Sequence, residues 1–220
     1  MKINLFLSAL SFALCPGLLA GQIKDSLSYS IGVQIASNLK KNGIIHKFEI
    51  NSSFLEAFVD VKSGSPKIKP EDMERIISSS FTALHEKEKK ENEDKGKAFL
   101  EQNAKKANVV ALPSGLQYKI LKEGAGAKPL PENKVEVHYT GSLVDGTVFE
   151  SSRTSGTPAQ FTLKEVIPGW TEGLQHIAEG GKIQLFIPHK LAYGERNMPG
   201  SPIGPCSTLI FEIELLKIEK

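Results

Sequence analysis

The sequence predicts an α+β protein: an antiparallel sheet of about five strands covered on one face by one short helix, preceded by an all-α segment with a long linking helix. Three observations carry this reading. Through residues 22–84 apolar side chains recur three or four apart, the period of amphipathic helices. From Asn108 onward glycine, proline and β-branched residues take over and apolar residues alternate, the period of strands. Within that second half, the only tryptophan, Trp170, follows a Pro-Gly turn signal and opens a stretch with apolar side chains at 170, 174 and 177, one face of a short helix.

The chain has 220 residues, 40% hydrophobic and 24% charged, at a net charge of +2: an ordinary soluble composition, long enough for one or two domains. The near-neutral balance gives no reason to expect nucleic acid as a partner. Its two cysteines, Cys15 and Cys206, support neither a disulfide framework nor a metal site.

Met1-Lys2, the largely apolar residues 3–14, the Pro16-Gly17 break and the Leu18-Leu19-Ala20-Gly21 stretch read as a secretory signal peptide over residues 1–21, too short to span a bilayer. The cut is expected after Ala20 or Gly21, although Leu18 fits the small-residue rule poorly. Lipidation at Cys15 is the weaker alternative, with Leu14 before it and Pro16 after it. The exported chain then keeps one thiol, Cys206, which in an oxidising compartment is either buried or a liability.

Residues 22–69 read as a small helical domain. Asp25-Ser26 caps a helix with Leu27, Ile31, Ile35 and Leu39 on one side, stopped by Asn42-Gly43. Asn51 caps a second helix carrying Phe54, Leu55, Phe58 and Val59, ended by Gly64-Ser65-Pro66. A third, over 70–107, starts with Pro70 and Glu71-Asp72, which suit a helix N-terminus. Its early stripe is Met73, Ile76, Ile77, Phe81 and Leu84, whereas His85–Lys97 carries five lysines against five acids. At 1.5 Å per residue it would run about 55 Å, solvated in its middle, weakened at Gly96 and bridging two bodies. Two short helices and the head of a third make a thin core, so a homodimer through residues 22–84 is expected.

The strands of the second half, 108–220, are Leu116–Leu121, Val135–Gly141, Thr147–Phe149 after the Asp145-Gly146 turn, Lys182–Ile187 and Thr208–Leu216. The helix beginning at Trp170 must cover one face of this sheet. The five histidines show no ligand spacing, and there is neither a nucleophile elbow nor a phosphate loop, so no metal and no cofactor is expected. What gathers near the turns is apolar and aromatic: Tyr139, Phe149, Phe161, Val166, Ile167, Trp170, Tyr193 and Phe211. That composition suits an apolar pocket better than acid–base chemistry. Pro168 also holds Ile167 extended, which can leave its backbone N–H free to bind something.

Five collinear motifs over 113–220 resemble the FKBP-type peptidyl-prolyl isomerases: Val135–Gly141, Gly146–Phe149, Val166–Trp170, Leu191–Gly194 and the closing Leu209–Leu216. Residues 22–107, through Ser30-Ile31-Gly32 and Pro70–Met73, resemble the dimerising N-terminal part of the exported bacterial branch, that of the macrophage infectivity potentiator. The resemblance implies a twisted half-barrel wrapped on one helix, residence in the periplasm or at the outer membrane, proline-containing polypeptides as substrates, and rapamycin and tacrolimus as ligands. It implies Trp170 as the floor under the proline ring, with Tyr139, Phe149, Phe161, Val166, Ile167 and Phe211 around it. The Ile167 N–H and the Tyr193 hydroxyl would bind carbonyls, and Ile203 would come from the loop after Tyr193. Two positions depart from the family's pattern: Glu150 stands where an aspartate is usual, and Ala159 where many members carry phenylalanine. A chaperone or binding module with incidental isomerase activity is the alternative reading.

Overall fold

The computed structural model describes residues 26–41 and 50–219. The signal peptide at 1–21, the Asp25 cap and the Asn42-Gly43 stop lie outside the described residues. Helix α1 (Ser26–Lys41) belongs to one compact unit, and everything from Ile50 onward to a second. No residue of α1 is buried.

Helix α2 (Ser52–Ser63) has the expected ends. The Asn51 side chain accepts from the Ser53 and Phe54 amides at 3.1 and 3.3 Å, and Gly64 closes the helix at φ 73°, where a Cβ would be penalised. Helix α3 (Pro70–Asn103) follows, with Glu71 and Asp72 in its first turn. It stops at Asn103 instead of Ala107 because that residue is tied down. Asn103 is buried and donates to the Gln117 side chain at 3.0 Å, while Gln117 donates back to the Leu100 carbonyl at 2.9 Å.

The expectation that the charged middle of α3 has no packing partner is corrected. From Glu88 onward one face of the helix lies against the second half of the chain. Gly96 is buried, and a Cβ on it would run into the Thr208 side chain. Phe99 meets Phe186 with ring centroids 5.9 Å apart. Gly96 is therefore a point of close approach rather than a weak spot.

The sheet has seven strands: β1 (Val110–Ala111), β2 (Gln117–Lys122), β3 (Lys134–Leu143), β4 (Val148–Ser151), β5 (Ala159–Thr162), β6 (Lys182–Ile187) and β7 (Leu209–Glu219). About five were expected; β1 and β5 are two and four residues long, too short to display alternation. The order is β1-β2-β6-β7-β3-β4, all antiparallel, with β5 pairing β3 beside β4. Between β4 and β6 lie a single turn, α4 (Ser152–Ser155), and the short helix α5 (Pro168–Leu174). Strand β7 buries alternate residues, Leu209, Phe211, Ile213 and Leu215, against Val135 and Val137 of β3 and Ile183, Leu185 and Ile187 of β6. Leu174 and Ile177 cover this face, each fully buried and each contributing about 1.5–3 kcal/mol.

Replacing Gly96 by valine forces branched carbons against Thr208 and is expected to destabilise the Ile50–Glu219 unit by about 1–3 kcal/mol. The change is read as a lowered urea midpoint at unchanged slope.

Candidate active site

Helix α5 starts where the chain must turn. Pro168 at its first position confines Ile167 to an extended conformation, φ −59° and ψ 144°. The Ile167 carbonyl accepts from the Trp170 and Thr171 amides at 2.9 and 3.3 Å, while its own amide has no hydrogen-bond partner among the described residues. Two glycines let α5 settle onto β6. A Cβ at Gly169 would collide with Ile187, and one at Gly173 would stand 2.5 Å from Leu185.

That depth sets the height of Trp170, which is 4% exposed. Tyr139, Phe161 and Phe211 present their rings to it at 5.2, 5.5 and 5.2 Å, inclined by 81°, 85° and 88°. Edge-to-face contacts of this kind add about 0.5–1.5 kcal/mol each beyond area burial. Phe149 continues the row, 5.5 Å from Phe211. Gly141 makes room for it, since a Cβ there would meet both the Phe149 and the Phe211 rings. Val166, Ile167 and Tyr193 are half-buried against the same cluster, and Ile203 is 5% exposed within it. Ala159 sits half-buried at the start of β5, opposite Val137.

Glu150 is exposed one residue beyond Phe149 and is the carboxylate that acts on this box. Burial first, then the neighbouring Glu150 carboxylate, pushes the Tyr139 phenol far above its ordinary value; burial and the same carboxylate raise Tyr193 as well. Nine of the ten site residues expected from the sequence thus meet in one aromatic box, and the tenth, Glu150, is exposed in β4 next to Phe149.

One contributor had no sequence signal. Ser152, in α4, is buried; its hydroxyl accepts from the Tyr139 amide at 2.9 Å and lies 3.1 Å from His138 Nδ1. It fixes β3 at the residue that carries Tyr139. A serine after Glu150-Ser151 looks like any turn residue until the chain folds back.

Residues 126–216 match the family of FKBP-type peptidyl-prolyl cis-trans isomerases, and residues 24–120 match the domain amino terminal to FKBP-type peptidyl-prolyl isomerase. The chain is 45% identical to the outer membrane protein MIP of Legionella longbeachae, covering 90% of this chain and 86% of that one. It is 38% identical to the FKBP-type 22 kDa peptidyl-prolyl cis-trans isomerase of Escherichia coli, over 89% of this chain and 96% of the relative. The crystal structure of FkpA from Escherichia coli superposes with a TM-score of 0.70 at 37% identity, covering 88% of this chain and 93% of that one.

The raised phenol fixes an alkaline signature. Tyr139 ionises from about pH 10 in the unfolded chain and only at higher pH when folded, so the stabilising difference is intact below pH 10 and is lost as pH rises above it. Stability from pH 9.5 to 11.5 should therefore fall less steeply in Tyr139→Phe than in wild type, as read by denaturant titration at each pH.

Proposed function

The chain belongs to the FKBP-type peptidyl-prolyl cis-trans isomerases, and from that premise we propose how the box around Trp170 performs the reaction and in what form the protein works. The activity is rotation about Xaa-Pro bonds, in the service of protein folding. Amide resonance sets a barrier of about 18–20 kcal/mol, and no bond need be broken to cross it. The planar amide is more polar than the twisted one. A water-poor, apolar site therefore favours the twisted state, and binding that state better than either planar isomer lowers the barrier.

The geometry around Trp170 supports the roles that the family resemblance implies. Trp170 is the floor on which the proline ring rests. Tyr139, Phe149, Phe161, Val166 and Phe211 are the walls, and Ile203 closes the loop side. The Ile167 amide donates to a substrate carbonyl. The observation that carries this reading is that amide, held extended by Pro168 and left without a partner beside the aromatic box. Tyr193 supplies a second donor. Both phenols are protonated donors at neutral pH, as an ordinary phenol is, and burial first and the Glu150 carboxylate second raise them further. Rapamycin- and tacrolimus-type ligands would occupy the same box.

The domains are read as a signal peptide at 1–21, a dimerisation domain at 22–69, a linking helix at 70–107 and the isomerase domain at 108–220. Dimerisation through residues 22–84 is supported by apolar stripes that one chain leaves open: Leu55, Phe58 and Val59 on α2, Met73, Ile76 and Ile77 on α3. Export to the periplasm or the outer membrane is supported by the apolar leader and by the name of the Legionella relative.

The mature chain should accelerate isomerisation of a short Xaa-Pro peptide, and rapamycin should abolish the effect. Trp170→Leu should lower kcat/KM at least about tenfold, a loss of about 1.4 kcal/mol of transition-state stabilisation. A folded wild-type chain without rapamycin-sensitive turnover would sink the assignment of the box. Sedimentation should give a dimer; a concentration-independent monomer would remove the self-association proposal.

A further inference from the structure

The loop from Ala192 to Thr208 joins the turn at 189–191 to β7 without belonging to the sheet. It carries two pocket residues, Tyr193 near its start and Ile203 near its end. Internally it is closed: the Cys206 amide donates to the Gly194 carbonyl at 2.8 Å, and the Met198 amide donates to the Ile203 carbonyl at 3.3 Å. These bonds make the loop one bent body. They do not fix where that body sits against Trp170.

The second half of α3 does. The Asn92 side-chain amide donates to the Pro205 carbonyl at 2.9 Å in a half-buried position. One turn earlier, Lys89 pairs with Glu195 at 2.7 Å, on the other limb of the loop. Gly204 approaches Glu88 and Asn92 so closely that a Cβ would meet both side chains. One turn later, Gly96 receives Thr208 at the root of β7. Residues 88, 92 and 96 are four apart and share one face of the helix. A stretch that reads as solvated charge therefore holds both limbs of the loop that closes the pocket.

We infer that α3 is part of the isomerase site, and that Asn92 is a positioning residue whose bond to the Pro205 carbonyl holds the Tyr193–Ile203 loop against the aromatic box. The inference rests on the pocket assignment above. Between the two polar contacts Asn92 carries more. The Lys89–Glu195 pair is exposed at Glu195, and exposed ion pairs contribute little, whereas a half-buried amide–carbonyl bond is not exchanged freely with water. Asn92 touches no substrate. It acts through the loop, so its loss should weaken substrate binding more than it slows the bound substrate.

Cys206 offers a direct readout. It lies inside the loop, next to Pro205, and is 1% exposed. Labelling of its thiol requires the loop to open locally. The full chain carrying Cys15→Ser, in which Cys206 is the only thiol, would be treated with Ellman's reagent at fixed pH. Peptide KM and kcat would be measured on the same samples. Asn92→Ala should speed labelling about tenfold and raise KM about threefold or more, with kcat within about twofold of wild type. Lys89→Met, at the exposed pair, should move both quantities the same way by less, and it decides the matter if Asn92→Ala does not fold. Labelling and KM both at wild-type values would overturn the inference. So would faster labelling at unchanged KM, which would make α3 a mere cover. A fall in kcat/KM that only tracks lost stability in urea would do the same. Failure of the pocket assignment itself is seen separately, as absent turnover in the wild-type chain.

Discussion

Everything at the site depends on how closely α5 approaches β6. A seven-residue helix is too short to hold itself, so its place is decided by packing. Gly169 over Ile187 and Gly173 over Leu185 remove the two Cβ atoms that would lift it. With the helix seated, Leu174 is sealed and Trp170 stands at the height where three rings meet it edge-on. The same seating fixes the direction of the Ile167 amide, because Pro168 is the first residue of the helix and the extended residue before it has little freedom. An extra carbon at either glycine would disturb floor, walls and donor together.

The box is apolar, yet one exposed carboxylate acts on two of its phenols. The resemblance leads one to expect an aspartate after Phe149, and Glu150 reaches one methylene further. In β4 it pairs with Gly141, next to a register shift between β3 and β4. From there its charge acts on both Tyr139 and Tyr193. On Tyr139 the carboxylate acts through a side-chain hydrogen bond as well as through charge, and on Tyr193 through charge alone.

Much of this was legible in the residues. Strands β3 and β7 bury alternate positions over long runs, so their period could be read directly. Asn51 and Gly64 announce both ends of α2, because each satisfies or relieves a backbone group within a few residues of itself. The pocket residues could be named because Pro-Gly-Trp is a local signal and the flanking motifs are collinear with a known family. The rest was hidden for physical reasons. Strand β5 is four residues long and is specified by β3, its partner across the edge, rather than by its own pattern. Ser152 matters through a bond to a residue thirteen positions earlier. Gly96 reads as a flaw in a helix when only propensity is considered, and as a necessity once Thr208 is against it.

That last reversal changes what α3 is. A helix solvated throughout would only separate a dimerising end from a catalytic end. Here its first half leaves Met73, Ile76 and Ile77 open, and its second half grips the loop that closes the pocket. A continuous helix is stiff over this distance, so the two halves cannot be re-aimed independently. Once the grip helps to place Ile203 and Tyr193, linkage makes the effect mutual: a ligand that favours the closed loop must strengthen the hold of the loop on α3 by the same free energy. The charged face of α3 is then under two constraints. It must stay soluble along most of its length, and it must present Glu88, Asn92 and Gly96 in register with Gly204, Pro205 and Thr208. Alternating lysines and acids satisfy the first and leave one position in four for the second, which is why the stripe is sparse and its residues small or polar.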